Sequence, residues 1–214
     1  MKVVAFMPIK LKNERCPGKN TRMLGNKPLL QYELDSLLST NLCNQVIVYC
    51  SSEDVVPFLP AGVEFSQRPT SLDQPTTNFT QFTECFIAKH DADVYVLAHA
   101  TAPFISVETM KECINAVTSG EFDSAFCAQR IQTFLWKDGQ PLNFDASNLP
   151  RTQDLAPIYQ ETSGVYVFRK DVFSNLHRRI GNNPFIKEVS LKESVDIDEE
   201  KDFAVAEALL NVNL

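Results

Sequence analysis

Residues 3–20 have the sequence VVAFMPIKLKNERCPGKN, and the predicted fold depends on this stretch. Its first part, 3–9, is almost wholly apolar, which predicts a strand that is covered on both faces of its sheet. The polar loop that follows carries four basic side chains: Lys10, Lys12, Arg15 and Lys19. In an open α/β sheet, ligands bind beyond the carboxyl ends of the strands, so this loop is a candidate binding element.

The same alternation of apolar runs and longer amphipathic segments continues along the chain. We expect further strands at 46–50, 94–98, 124–128, 164–168 and 184–189. We expect helices at 28–38, 77–89 and 107–117, and a last one from about 200 to 210. Phe79, Phe82 and Phe86 share one face of the second helix, which indicates a stripe facing the core. The alternation predicts an α/β fold with a mainly parallel sheet flanked by helices.

The alternation is interrupted between residues 131 and 160. Within this segment, the sequence KDGQ at 137–140 separates the aromatic stretches 134–136 and 141–144. An Asp-Gly pair between two such stretches is a strong hairpin signal. The segment has too few apolar residues for a core of its own, so we expect the 131–160 arm, with Trp136 as an anchor, to pack on another subunit or line the site. Otherwise we expect a single domain over 1–214.

Composition excludes several classes of protein. The net charge of −7 over 214 residues argues against a nucleic-acid partner. No apolar run approaches the roughly 20 residues that a membrane helix needs, and no cleavage site follows the first apolar run. The six cysteines include no Cys-x-x-Cys pair and no histidine spaced with them as a ligand set. This usage favours a reducing cytoplasm and argues against zinc.

A pair of aspartates near the end of the chain is the main candidate for metal binding. Residues 194–198 have the sequence SVDID, and in a strand Asp196 and Asp198 would point to the same side. Two carboxylates suit Mg²⁺, which is usually held by one or two of them together with substrate phosphates. A polar strand edge, or an N-cap at Asp198, would explain the same residues.

The basic loop has two interpretations of its own. In an acidic protein, clustered lysines and arginines after the first strand are suited to hold the phosphates of a nucleotide. An ordinary solvated turn is the alternative. Arg178 and Arg179 are interpreted as part of a solvated face, with a subunit contact as the alternative.

Four motifs occur in one order along nearly the whole chain: MPIK with PGKN at 7–20, LAHATAPF at 97–104, RTQDL at 151–155, and VDID with DFAVAE at 195–207. Together they resemble the motifs of the sugar-acid cytidylyltransferases, which make CMP-N-acetylneuraminate and CMP-Kdo. The family positions of Ser and Gly in the first loop are occupied here by Asn13 and Arg15, so Gly18 would supply the flexibility.

The resemblance implies a Rossmann-like nucleotidyltransferase fold with an inserted hairpin dimerisation arm. It implies a cytoplasmic, Mg²⁺-dependent homodimer that couples CTP to an acidic nine-carbon sugar, N-acetylneuraminate or a related nonulosonate, and releases pyrophosphate. Kdo as the acceptor is the first alternative. A glycosyltransferase with an Asp-x-Asp motif and a non-catalytic nucleotide-binding module are the others. The sequence does not separate the individual nonulosonates, and no residue stands out as a general base.

The resemblance also assigns roles to individual residues. The expected nucleotide-binding residues are Lys10, Asn13, Arg15, Lys19 and Asn20. The expected sugar-binding residues are His99, Thr101, Thr162 and Tyr166, of which His99 replaces a family glutamine and Thr162 a family asparagine. Asp196 and Asp198 would hold Mg²⁺. Lys10, Lys19 and Asp198 are the expected catalytic residues.

Overall fold

The computed structural model describes residues 1–212. Its strands are β1 (Val3–Ile9), β2 (Met23–Leu24), β3 (Lys27–Pro28), β4 (Gln45–Cys50), β5 (Glu64–Gln67), β6 (Val94–Ala98), β7 (Ser124–Ile131), β8 (Trp136–Lys137), β9 (Gln140–Pro141), β10 (Ile158–Arg169) and β11 (Pro184–Glu188). Its α-helices are α1 (Leu29–Thr40), α2 (Phe79–Lys89), α3 (Val107–Thr118), α4 (Lys170–Leu176) and α5 (Glu200–Leu209).

Seven strands form the central sheet in the order β11-β7-β10-β6-β1-β4-β5. All neighbours in it are parallel except β10, which runs antiparallel to both β6 and β7. The α/β fold with a mainly parallel sheet is therefore confirmed. β1 lies between β4 and β6, so its carboxyl end opens near the middle of one edge of the sheet.

Helices cover both faces of the sheet, and successive residues of β1 face opposite layers. Ala5 and Met7 join a core cluster that includes buried residues of α1 and α3. Val4 and Phe6 join a second cluster with residues of α2 and α4. This two-sided burial is the reason that the strand is apolar throughout.

The phenylalanine stripe of α2 faces the second cluster, as predicted. Phe86 is fully buried and its ring stacks on Phe6 at 4.2 Å, while Phe79 and Phe82 pack at the margin. The helix begins with a capping box, in which Asn78 and Gln81 satisfy each other's backbone N–H groups.

A third, smaller cluster joins distant parts of the chain at the site. It contains Cys16 of the first loop, Leu24 of β2, Leu29 of α1, and Ile197 and Phe203 around the start of α5. Burial of these apolar groups holds the first loop against the C-terminal segment. No helix within residues 1–212 is both long and apolar enough to cross a membrane.

Strand β10 is longer than the sequence indicates. It begins at Ile158 rather than 164, and its first residues pair with the end of β7, with Ile158 opposite Ile131. The register shifts between Glu161 and Tyr166, so the strand is interrupted by an irregularity. The expected boundaries of the arm therefore fall inside a two-stranded extension of the sheet.

The predicted hairpin is present between the two extended strands in sequence, as a separate two-stranded sheet. Asp138 and Gly139 both have positive φ, 52° and 76°, and connect β8 to β9. Trp136 is 61% exposed, and its ring packs on Phe144 at 5.4 Å. Packing of this arm on a second subunit remains a prediction.

Candidate active site

The loop after β1 lies at the carboxyl end of the parallel strands. It lines a cavity of about 310 Å³ together with residues from elsewhere in the chain. The charged side chains around this cavity are Lys10, Lys12, Glu14, Arg15, Lys19 and Asp198. Four cations against two carboxylates make it a site suited to an anion.

A second cavity, of about 670 Å³, shares the wall formed by Lys10 and Asn13 and extends to Ser51 and Asp73. Ser51 donates a hydrogen bond to Asp73 (2.5 Å), and Asp73 also pairs with Arg68. Arg68 is only 5% exposed, and within residues 1–212 its Nε has no hydrogen-bond partner. The sequence did not single out Arg68, because β5 was not predicted and the partner Asp73 is brought to it by the fold.

Lys19 connects the basic loop to the C-terminal segment. It is only 8% exposed, and its Nζ donates to the carbonyl of Ile197 at 2.6 Å and to Asp198 Oδ1 at 3.1 Å. The preceding Gly18 has φ = 67°, a conformation that favours glycine. Glycine is therefore suited to this position, and the expected flexibility there stays a prediction.

Asp198 is surrounded by positive charge. Arg15 Nη2 lies 3.0 Å from the same carboxylate oxygen that Lys19 contacts. Partial burial alone would raise the pKa of Asp198, but the hydrogen bond and charge of Lys19, with the charge of Arg15, hold it below its usual value. The carboxylate is thus ionised at neutral pH.

Two asparagines in the basic loop differ in what they contact. Asn20 is buried, and its side-chain amide donates to the carbonyl of Lys10 at 2.9 Å, so it holds the loop closed. Asn13 has a buried Oδ1 without a hydrogen-bond partner in the described chain. An unpartnered buried acceptor beside the cavity is available to a ligand.

The prediction of a strand around Asp196 and Asp198 is wrong. Residues 195–198 form no regular strand, because α5 and the third cluster, rather than a neighbouring strand, hold this segment. Asp198 lines the basic cavity, whereas Asp196 lines another cavity of about 430 Å³. The argument from strand alternation therefore does not hold, and metal binding by the pair stays a prediction.

The N-cap alternative for Asp198 is also wrong. Glu199 is the N-cap of α5, where it forms a capping box with Asp202. The backbone N–H of Asp198 donates to Asp202 at 3.1 Å. The Asp198 side chain is therefore left for the cationic cavity.

His99 follows β6, the strand next to β1. Its Nδ1 lies 2.6 Å from the carbonyl of Ser163, so that nitrogen carries the proton and Nε2 is an acceptor in the neutral ring. Burial lowers the pKa of His99, and the positive charge of Arg179 adds to this effect, while the Ser163 carbonyl and Asp196 oppose it. His99 is accordingly neutral at pH 7.

Two expected sugar-binding residues make contacts within the fold. The carbonyl of Thr101 accepts a hydrogen bond from the Ile197 N–H at 2.8 Å, which ties the end of β6 to the aspartate segment. Thr162 is 7% exposed and donates from Oγ1 to the carbonyl of Cys127 at 3.0 Å. The contribution of each to ligand binding remains a prediction.

Tyr166 lies beside His99, with the ring centroids 5.8 Å apart and nearly perpendicular. Its hydroxyl donates to Glu161 Oε1 at 2.5 Å. Burial and the Glu161 hydrogen bond raise the pKa of Tyr166, so the phenol keeps its proton. The structure thus brings two of the expected sugar-binding residues together.

Arg179 completes this second group, and its interpretation as part of a solvated face is wrong. The guanidinium carbon lies 3.7 Å from the centroid of the Tyr166 ring, and Nη2 donates to Glu161 at 2.8 Å. Only 29% of the side chain is exposed. Nothing in the local sequence indicated this, because the contact depends on how β10 folds against the segment after α4.

Comparison with known proteins places the chain among enzymes of one kind. A family profile described as cytidylyltransferase matches residues 4–214. The chain is 26% identical to N-acylneuraminate cytidylyltransferase A of Danio rerio, covering 89% of this chain and 46% of that protein. It is 25% identical to the CMP-N,N'-diacetyllegionaminic acid synthase of Legionella pneumophila, covering 100% and 98%. The chain thus spans about half the length of the fish relative.

A solved structure has the same fold. The CMP:2-keto-3-deoxy-manno-octonic acid synthetase complexed with CTP superposes with a TM-score of 0.74. The alignment covers 98% of both chains at 18% sequence identity. At this identity the likeness concerns the fold alone.

Proposed function

The chain belongs to the cytidylyltransferase family, and on that premise we propose that it transfers the cytidylyl group of CTP to an acidic sugar and releases pyrophosphate. The acceptor that we favour is a nine-carbon sugar acid, N-acetylneuraminate or a related nonulosonate. One observation carries the proposal. The buried ammonium of Lys19 contacts Asp198 and so brings the basic loop and the acidic segment to one cavity.

The two adjoining cavities support a nucleotide as the ligand. The smaller, cationic one suits a triphosphate, since charge-assisted hydrogen bonds from lysine and arginine are strong. The larger one, of about 670 Å³, has the size of an ordinary ligand pocket and polar groups in its wall. We assign the phosphates to the first cavity and the nucleoside to the second.

The reaction needs positioning and charge neutralisation more than covalent chemistry. The anomeric hydroxyl of the sugar attacks the α-phosphorus in line, the bond to the β-phosphate oxygen breaks, and pyrophosphate leaves. Lys10, Arg15 and Lys19 stabilise the charge that develops on the phosphate oxygens. Lys19 is the best placed of them, because its backbone and side-chain contacts fix the ammonium before substrate binds.

We further propose that Asp198 holds Mg²⁺, with Asp196, which lines a separate cavity in this structure, as a second ligand. Asp198 is ionised, and Asp196 has a buried Oδ1 without a partner in residues 1–212. No group of three His, Cys, Asp or Glu side chains in those residues is placed to hold a metal, so substrate and water oxygens must complete the coordination. The ion would neutralise phosphate charge and lower the pKa of the attacking hydroxyl.

The group after β6 is where we place the sugar. The main-chain hydrogen bond from the Ile197 N–H to the Thr101 carbonyl connects this group to the aspartate segment. His99 offers an acceptor at Nε2 for a sugar hydroxyl, and Tyr166 supplies an aromatic surface. The departures from the family pattern at His99 and Thr162 fall in this group, so they bear on which acid is used rather than on CTP.

An eight-carbon acid, Kdo, is the second candidate acceptor. The observation in its favour is a sequence relative, the 3-deoxy-manno-octulosonate cytidylyltransferase of Acaryochloris marina, which is 23% identical over 86% of this chain and 80% of that protein. The reaction would be the same, and only the sugar contacts would differ.

We also propose that the protein works as a homodimer through the 131–160 arm and resides in the cytoplasm. The support for the dimer is the apolar surface of the arm, in which Trp136, Leu142 and Leu149 are 61%, 53% and 64% exposed. The support for the compartment is that all six cysteines are free thiols.

Pyrophosphate release from CTP and Mg²⁺ across a panel of sugar acids tests the proposed function. We expect release with at least one nonulosonate and little with neutral sugars. Turnover with Kdo but with no nonulosonate would move the acceptor to the second candidate. Absence of pyrophosphate release with every acid would contradict the proposal.

A further inference from the structure

Arg179 is held by several contacts beside Tyr166, one of the expected sugar-binding residues. Its guanidinium carbon lies over the Tyr166 ring, 3.7 Å from the centroid, and 5.5 Å from the centroid of a second ring, that of Phe79. Nη2 donates both to Glu161 Oε1 and to Tyr166 Oη, at 2.8 and 3.0 Å. Stacking and two hydrogen bonds fix both the plane and the rotation of the guanidinium.

This arrangement leaves part of the guanidinium for a ligand. Both side-chain hydrogen bonds that Arg179 makes within residues 1–212 come from Nη2, so Nε and Nη1 retain their donors. The side chain is 29% exposed, so part of it is reachable from solvent. A planar fork of N–H donors matches the two oxygens of a carboxylate.

We infer that Arg179 binds the carboxylate of the acidic sugar, and that it is therefore the residue that selects an acid over a neutral sugar at this site. The inference rests on the proposed function and deepens it. His99 also packs on Tyr166, and burial lowers its pKa, so it stays neutral and does not supply the charge. Glu161 accepts from Nη2 and so orients the guanidinium without occupying Nε or Nη1.

Arg178 provides a matched control. It is the preceding residue and also an arginine, but its Nη2 donates to Asn182 and not to Tyr166 or Glu161. Arg178→Met therefore removes the same charge and the same number of atoms at a position that does not contact the Tyr166 group. The charge-conserving variant Arg179→Lys tests the positive charge separately from the planar arrangement of guanidinium N–H donors.

The experiment compares N-acetylneuraminate with its neutral methyl ester as acceptors for the wild type, Arg179→Met, Arg178→Met and Arg179→Lys. We expect the wild type and Arg178→Met to prefer the acid by roughly tenfold or more in kcat/KM, as a charged hydrogen bond would give. Arg179→Met should lose this preference while its KM for CTP stays within about twofold of the wild type, and Arg179→Lys should keep part of it.

Two results would overturn the inference while leaving the proposed function in place. One is an Arg179→Met enzyme that still prefers the acid. The other is an Arg179→Met enzyme whose kcat/KM falls equally with the acid and with the ester, which indicates that Arg179 only supports Tyr166. Absence of turnover by the wild type with every acid is a different pattern, and it would overturn the proposed function and this inference together.

Discussion

Lys19 is a lysine with 8% exposure, and the contacts of its ammonium explain how that charge is tolerated. A buried ammonium without partners would cost several kcal/mol, so it has to be paired. The carbonyl of Ile197 and the carboxylate of Asp198 supply the partners, at 2.6 and 3.1 Å. The same contacts place one positive charge at the base of the cationic cavity, where a phosphate would bind.

Asp198→Asn should remove most of the activity without unfolding the protein. The change removes a negative charge that Lys19 and Arg15 both contact and that we assign to Mg²⁺. We expect kcat to fall by about 100-fold or more, the size usually seen when one electrostatic group is lost from an active site. Pyrophosphate release measures the activity, and circular dichroism checks the fold.

Asp35→Asn is the control for that substitution. Asp35 also pairs with a lysine, Lys27, and its side chain is 44% exposed against 41% for Asp198, but it lies on α1 away from the cavity. Asp35→Asn should leave kcat nearly unchanged. Near-wild-type activity of Asp198→Asn would remove Asp198 from the metal site.

Glu33 is a buried carboxyl without a hydrogen-bond partner in residues 1–212, and it should make stability depend on pH. Burial, with a smaller effect of Cys127, raises its pKa well above the ordinary value of 4.5. The folded protein therefore binds a proton that the unfolded chain releases above about pH 4.5, so the contribution of Glu33 to stability falls as pH rises.

Glu33→Gln should remove this dependence. Thermal unfolding at several pH values should show the melting temperature of Glu33→Gln rising relative to the wild type between about pH 5 and pH 8, whatever its absolute value. The exposed Glu121→Gln serves as the control and should run parallel to the wild type. A constant difference between Glu33→Gln and the wild type across this range would contradict the expected ionisation.

Among the secondary-structure elements, the sequence predicts best the strands that are buried on both faces of the sheet. β1 and β6 were predicted with their observed bounds, because covered parallel strands are apolar without interruption. The irregularity in β10 and the non-strand conformation of 195–198 were not predicted, because each depends on neighbours far along the chain.

The candidate site divides in the same way. The basic loop could be recognised, since its charges are adjacent in sequence. Arg179 and Arg68 could not, because their partners Tyr166 and Asp73 are brought to them by the fold. Periodicity carries information on burial and none on which polar side chains meet across elements.

The irregular part of β10 depends on close packing at Gly164. A Cβ there would lie 2.5 Å from Ile105 Cδ1 and 2.9 Å from Cγ1, and Ile105 is buried. Gly164→Ala should therefore destabilise the fold by about 1–3 kcal/mol, the usual cost of overpacking. It should also displace the neighbouring carbonyl of Ser163, which holds His99, and so raise KM for the sugar more than KM for CTP.

A double-mutant cycle with Ile105→Ala tests the cause. That substitution removes both clashing atoms, so the combined variant should be less destabilised than the sum of the two single changes. Additive effects in chemical denaturation would indicate that the contact with Ile105 is not the reason for glycine at this position.

At the scale of the whole molecule, the exposed apolar side chains of the arm should hold two copies together. We expect the wild type to be a dimer by light scattering, and Trp136→Ser with Leu149→Ser to shift it towards monomer, since truncation of large apolar anchors weakens interfaces most. Val56→Ser, at another exposed apolar residue outside the arm, is the control. A monomeric wild type, or a dimer indifferent to the arm variants, would contradict this assignment.

The central claim is that CTP and an acidic sugar meet at the Lys19–Asp198 cavity and exchange a cytidylyl group. The most direct test is ³¹P NMR of the wild-type protein with CTP, Mg²⁺ and N-acetylneuraminate, with other nonulosonates as further acceptors. We expect the CTP signals to disappear while pyrophosphate and one new phosphodiester signal appear in equal amounts. CTP that stays intact with every acid, or that is hydrolysed without forming a phosphodiester, would contradict it.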